Sequence, residues 1–226
     1  MSANRTVLLA TGEIYHVFNR GVERRPIFTQ AFEYRRALDS MNFYRFLEPP
    51  IRYSKYITLD KKRRIQLLKA LLSSKFQVEI LAFCLMPNHF HLLLKQTVDT
   101  GISRFISKLC DSYSKYFNIK HDRIGPLFQG PFKAVRIESE EQLIHLSRYI
   151  HLNPISSFLI KESALDSYPW SSLPEYLAPL GNTISNTSII GNIFKTPSKY
   201  QEFVHNHIDY AQKLEQIKHL AFDSEA

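Results

Sequence analysis

Cysteine, glycine and long apolar runs are scarce in this sequence, and each scarcity removes a class of protein. The only cysteines are Cys84 and Cys110, too few for a disulfide framework and wrongly spaced for a closed zinc site. Both fall in apolar periodic segments, which predicts buried free thiols in a reducing compartment. With only 7 glycines, the chain is neither fibrous nor of low complexity. The apolar patch in MSANRTVLLATGEIYHVFNR is too short for a secretory leader, and no run is long enough to span a bilayer. A cytoplasmic protein with no membrane partner is expected. No internal repeat is visible.

What is present is a globular composition with an excess of positive charge. At 226 residues and 44% hydrophobic, the chain can bury one large domain, or one domain plus additions. The 29 Lys and Arg against 21 Asp and Glu leave a net charge of +8. Such a field favours polyanions through phosphate contacts and counterion release. A solvated basic surface gives the same sum. The 12 Tyr and 16 Phe scattered among the cations sharpen the reading, because aromatic platforms beside basic grooves hold unpaired bases.

Periodicity divides the chain into alternating strands and helices. Residues 14–19 (IYHVFN) alternate and are rich in aromatic and β-branched side chains, so they read as a strand. Residues 31–46 follow a helical period through Phe32, Ala37, Leu38, Met41 and Tyr44. Pro49-Pro50 breaks it, and Asp60 is placed to cap a helix to Ser73 with Ile65, Leu68, Leu71 and Leu72 inward. Residues 48–76 read as an insertion. Residues 78–85 and 90–95 form a buried strand pair around Met86-Pro87-Asn88. Residues 101–118 read as a helix with Ile102, Phe105, Ile106, Leu109, Tyr113 and Phe117 on one stripe, and 132–137 as a fourth strand.

Ser139 and Gln142 have the capping-box spacing for a further helix, which Asn153-Pro154 should end near Leu152. Tyr168-Pro169-Trp170-Ser171-Ser172 reads as an ordered loop and residues 181–188 as a polar, flexible stretch. Ser198 is placed to cap a last helix to about Leu220. The order strand, helix, strand, strand, helix, strand is the split βαβ plan. It predicts an α+β protein with a ferredoxin-like antiparallel sheet and helices on one face.

Two constellations could carry chemistry. On a strand, His89 and His91 point to one face and Phe90 to the other. Two imidazoles on one face can hold a divalent metal if acceptors behind them fix the other ring nitrogens. The same pattern also fits two histidines at a hairpin mouth with no metal. Tyr149 and Asn153 lie one helical turn apart, with His145 a turn earlier. A phenol presented to a groove can attack phosphorus, but its ordinary pKa near 10 means it needs a polarised phosphate. Taken alone, that pair is better read as a core tyrosine with a C-terminal capping asparagine. Around these lie basic and aromatic residues, and the loop Gly125–Gly130 (GPLFQG), which has two glycines and a proline to fix its shape.

Taken in order, YHVFNRG (15–21), CLMPNHFHLLLK (84–95), YFNIKHDRIGPLFQGPFKAVRIE (116–138), RYIHLNP (148–154) and PWSS (169–172) resemble the REP-associated tyrosine transposases. These are a branch of the single-tyrosine HUH transposases of bacterial insertion sequences, and the similarity spans about residues 14–172. The resemblance implies that His89 and His91 are the metal pair, that Tyr149 is the nucleophile and that Asn153 completes the metal site. It implies magnesium or manganese as the cofactor. It also implies single-stranded DNA with imperfect hairpins as the substrate, cut and rejoined through a 5′-phosphotyrosine. Arg20, Arg24, Arg25, Lys115, Arg123, Phe128, Gln129, Lys133 and Arg136 are the expected DNA contacts, and a homodimer is one arrangement open to the chain. Pro131 stands where family members often carry Arg, which removes one expected phosphate contact. Residues 1–172 would form the transposase domain and 173–226 an extension. A domesticated hairpin-binding protein and a water-using nuclease are the rival readings.

Overall fold

A computed structural model describes residues 8–178 and 183–214. Within them the chain divides into two compact units, residues 8–80 with 87–137, and residues 81–86 with 138–178 and 183–214. Among the described residues no helix is long and apolar enough to cross a membrane.

The first unit opens with β1 (Ile14–Arg20), whose strict alternation buries Tyr15, Val17 and Asn19. Then come α1 (Ala31–Tyr44), the short α2 (Tyr53–Tyr56) and α3 (Lys61–Leu72). The hairpin β2 (Val78–Met86, of which Leu81–Met86 is counted with the second unit) and β3 (His89–Gln96) follows, and then α4 (Gly101–Lys120) and β4 (Lys133–Arg136). The four strands form one antiparallel sheet in the order β2-β3-β1-β4, the ferredoxin-like order expected from the sequence. The predicted stripe on α4 is buried in full.

Two helical expectations for this unit need correction. On α1, Phe32 is 46% exposed while Glu33 has no exposed surface. Glu33 accepts from Lys120 Nζ and His121 Nε2 at 2.6 Å each, and from the Thr29 N–H and hydroxyl. The ammonium of Lys120 in turn lies 3.3 Å over the Phe32 ring. On α3, Asp60 caps the Arg63 N–H as expected, but only Leu71 is buried. Ile65, Leu68 and Leu72 remain 46%, 38% and 63% exposed, because no described element of the unit covers that side of the insertion.

Glu33 makes stability depend on pH. Burial alone would raise its carboxyl, but the hydrogen bonds from Lys120, Thr29 and His121 outweigh it and hold the pKa at about 2, against an ordinary 4.5. A depressed acid stabilises the fold above its unfolded pKa, and that contribution fades as pH falls from 4.5 toward 2. Because its partners are partly exposed and screened, about 2 kcal/mol is expected to be lost between roughly pH 6 and pH 3. Denaturant titrations of the wild type and Glu33→Gln at both pH values should differ by that amount. Equal slopes would remove Glu33 from the acid sensitivity.

The second unit is built on α5 (Glu140–Ser156), α6 (Leu173–Leu177), α7 (Ser188–Phe194) and α8 (Pro197–His205), with Leu81–Met86. Ser139 caps α5 through the Gln142 N–H, and the Gln142 side chain reaches back to Glu138 N, as the capping spacing requires. Asn153-Pro154 does not end the helix. It runs on to Ser156 because Pro154 and Ile155 are buried and their packing outweighs the lost N–H. The 168–172 loop is ordered as expected: Leu85 N donates to Trp170 O and Ser172 N to Phe83 O, which caps the open edge of Leu81–Met86.

A buried polar chain fixes the roll of α5. His151 bonds Ser172 Oγ and Tyr200 Oη at 2.8 Å each, and Tyr200 donates to Ser147 Oγ at 3.0 Å. Burial lowers the His151 pKa to about 3, so the ring is neutral inside this network. Thr196, not Ser198, caps α8, because Pro197 suits the first helical position. That helix stops at His205, a turn follows, and residues 208–214 are helical again. The remainder of the expected last helix, residues 215–220, lies outside the described residues, as do residues 181–182 of the stretch read as flexible. Residues 184–185 are held by the Glu175 carboxylate, which accepts both N–H groups.

Candidate active site

The strand register decides which side chains meet. In β1 and β3, Arg20 pairs with His89, Phe18 with His91 and His16 with Leu93, so all six share one face. Lys133 of β4 joins them opposite Phe18. The His89 and His91 rings stand perpendicular with centroids 4.9 Å apart.

Each ring is held at Nδ1. His89 Nδ1 lies 2.6 Å from Asn88 Oδ1, and His91 Nδ1 lies 2.8 Å from His16 Nε2. The His16 ring also stacks on His91 at 5.1 Å. His16 is the residue that sequence reasoning missed. Its signal was the parity of β1, which places it with Phe18 and Arg20, but only the register with β3 brings it to His91. Burial keeps His16 neutral, with a pKa of about 4. Burial, and then the neighbouring His89 and His16, push His91 well below its ordinary value.

The two histidines line a cavity of about 480 Å³ with Arg20, Arg24, Gln129 and Lys133, together with Asn19, Asn88 and Pro131. Its rim is built by close backbone approach. Gly21 N donates to Asn88 O, the N–H groups of Ile27 and Phe28 to Pro87 O, and Asn88 Nδ2 to Arg24 O at 3.1 Å. The 125–130 loop continues this pairing, with Val22 N donating to Leu127 O and Arg20 Nε to Gln129 Oε1. Glu23 and Arg24 take positive φ values of 56° and 57°, strain held in place by these bonds.

Gly21 allows the approach. A Cβ there would lie 2.3 Å from Arg25 O and 2.9 Å from Ile27 Cγ2. Gly21→Ala is therefore expected to lower stability by about 1–3 kcal/mol and to loosen the cavity rim. A denaturation midpoint equal to the wild type's would show that the loop shifts without cost.

The other predicted contacts sit elsewhere. Arg25 pairs with Glu23 at 2.6 Å and Arg136 with Glu13 at 3.0 Å, while Arg123 bonds Asn118 Oδ1 at 2.9 Å. Phe128 packs edge-on against Phe90. Lys115 lines a different groove, between α1 and α4. In the second unit, Tyr149 is 45% exposed and lines a small cavity with Arg148, Leu152 and His207. Asn153 is buried, and its Nδ2 donates to Tyr149 O at 2.8 Å.

Among the described residues no three His, Cys, Asp or Glu side chains are grouped to hold a metal ion. Two imidazoles fixed at Nδ1 by outer partners nevertheless suit a divalent cation, for which each would offer Nε2. A third donor would have to be of another type, such as an amide oxygen.

Residues 40–153, half of the chain, match the family described as Transposase IS200 like. The chain belongs to the IS200-like transposases. The matched span holds His89, His91, Tyr149 and Asn153 and leaves out β1 with His16 and Arg20. One solved structure similar to this IS200-like transposase is described as a REP-associated tyrosine transposase bound to a REP hairpin. It is 17% identical with a TM-score of 0.50, over 82% of this chain and 90% of that one, and it shares the fold. Another, described as a transposase from Deinococcus radiodurans R1, is 16% identical with a TM-score of 0.35, over 66% of this chain and 95% of that one. No curated protein matches the chain.

Proposed function

We propose that this IS200-like transposase is of the REP-associated, single-tyrosine type, and that it cuts and reseals hairpin-bearing single-stranded DNA. The observation that carries the reading is the His89–His91 pair on β3, set in one cavity with Arg20, Arg24 and Lys133. His89, His91 and the Asn153 side-chain oxygen would hold magnesium or manganese. When bound, that ion would polarise the scissile phosphate. Arg20, Arg24 and Lys133 would take its flanking phosphates, with Gln129 positioning Arg20. Arg25, Arg123, Phe128 and Arg136 would act further along the DNA or support the loops that touch it.

Tyr149 then supplies the nucleophile. Its phenolic oxygen attacks phosphorus in line, the bond from phosphorus to the 3′ oxygen breaks, and the phenolic proton ends through solvent on that oxygen. The products are a 5′-phosphotyrosine and a free 3′-hydroxyl. Because the phosphodiester energy is conserved, a second 3′-hydroxyl can reverse the step without ATP. In this reading residues 1–172 form the working domain, and the protein acts in the cytoplasm on the chromosome.

The polarity of cleavage tests it. Single-stranded DNA from repeats flanking the gene, labelled at either end, is incubated with manganese or a chelator. The 5′-labelled fragment should run free and be extendable by a polymerase, while the 3′-labelled fragment should stay with the protein. Two free fragments would favour water as the nucleophile. Binding without cutting would favour a hairpin-binding module.

A further inference from the structure

The first unit carries a second groove, apart from the histidine cavity. It has a volume of about 760 Å³, lies between α1, α4 and the segment leading into α2, and shares no lining residue with the histidine site. Its floor is apolar and aromatic, with Tyr116 and an Ile119 that is 83% exposed. Its walls carry Arg36, Arg52, Lys108 and Lys115, against one carboxylate, Asp111. Lys120 also lies there, but its charge is committed to Glu33. None of the other four cations makes an ion pair among the described residues.

One of them is preorganised. The Arg36 guanidinium sits between two rings, 4.4 Å from the centre of Tyr53 and 5.0 Å from that of Tyr116. Its Nε is buried without a hydrogen-bond partner, so the guanidinium's fixed charge is aimed by stacking. Lys108 and Lys115 stand two turns apart on α4, about 10 Å along its axis. Arg52, Lys108 and Lys115 without ion pairs, and an Arg36 that shares the field of Asp39, beside an exposed apolar and aromatic surface suit a polymer with both phosphates and bare planar bases. A duplex hides its bases, and a purely acidic peptide has no planar or apolar group to set against that surface.

We infer that this groove is a second nucleic-acid site, which takes a single-stranded segment with bases on Tyr116 and Ile119 and phosphates on Arg36, Arg52, Lys108 and Lys115. The inference rests on the reading that the chain handles DNA, but not on cleavage.

The test is a binding measurement in chelator, by anisotropy, with a labelled linear oligonucleotide of about twelve nucleotides and mixed sequence. Lys108→Gln/Lys115→Gln changes two side chains that hold no ion pair, and a thermal melt checks its folding. It is expected to weaken binding about tenfold, equally across sequences, and to reduce the salt slope by about 1.4, or roughly 0.7 per lost phosphate contact. Lys61→Gln/Lys62→Gln, on α3, removes the same charge and should leave affinity within about twofold. Equal loss in both variants would reduce the effect to net charge and overturn the groove. So would absence of binding to the linear strand, or displacement by polyglutamate as effective as by DNA of equal charge. Groove binding without cutting by the wild type would instead count against the transposase mechanism alone.

Discussion

Tyr149→Phe is expected to lower strand cleavage by at least about ten-thousandfold while leaving hairpin affinity unchanged. The substitution removes one oxygen from a side chain that is 45% exposed, so little packing is at stake. The backbone at this position is held independently. Asn153 Nδ2 donates to Tyr149 O, and two residues on, His151 is locked to Ser172 and Tyr200. The variant should therefore melt with the wild type. A loss of cleavage with unchanged melting and binding isolates the phenolic oxygen as the reacting group. Cleavage within tenfold of the wild type would remove Tyr149 from the chemistry.

His91→Ala is expected to cost on the order of a thousandfold in cleavage, with binding nearly intact. Arg20, Arg24 and Lys133 line the same cavity and are the proposed phosphate contacts, which the substitution leaves in place. The effect should be specific to the ion: raising manganese should recover part of the activity, because His89 remains. His91 is 7% exposed, so its truncation also leaves a cavity expected to cost about 1–2 kcal/mol. A cleavage rate at half the wild-type value or above would dissociate the histidine pair from metal use.

The alternating pattern in β1, the apolar hairpin strands and the stripe on α4 each have one solution, and the sheet order followed from them. Local caps were legible where side chain and backbone lie within three residues, as at Asp60 and Ser139. Features set by distant partners were not. Glu33 is buried because Lys120 and His121 reach it from the far end of α4, and no local pattern distinguishes it from the exposed Phe32 beside it. Ile65, Leu68 and Leu72 have helical spacing, but no neighbour among the described residues covers them. Pro154 looked like a stop because its cost is local, whereas the burial that outweighs it is tertiary.

The same division runs through the site. The shared face of His89 and His91 follows from the period of a strand. The imidazole that holds His91 does not, because His16 lies 75 residues away and meets it only through the pairing of β1 with β3. Arg20, Arg24, Gln129 and Lys133 were legible as basic or polar residues near the motifs, but their shared cavity depends on how the 21–28 and 125–130 loops are stitched to the hairpin turn.

The central claim is a covalent bond between Tyr149 and DNA. The most direct measurement is peptide-mapping mass spectrometry of the protein after reaction with hairpin-bearing single-stranded DNA and manganese, followed by nuclease trimming. The account predicts a nucleotide remnant, linked through a 5′ phosphate, on the peptide containing Tyr149 and on no other tyrosine, and absent with chelator. A remnant on a different residue, or efficient cutting with every tyrosine unmodified, would contradict it.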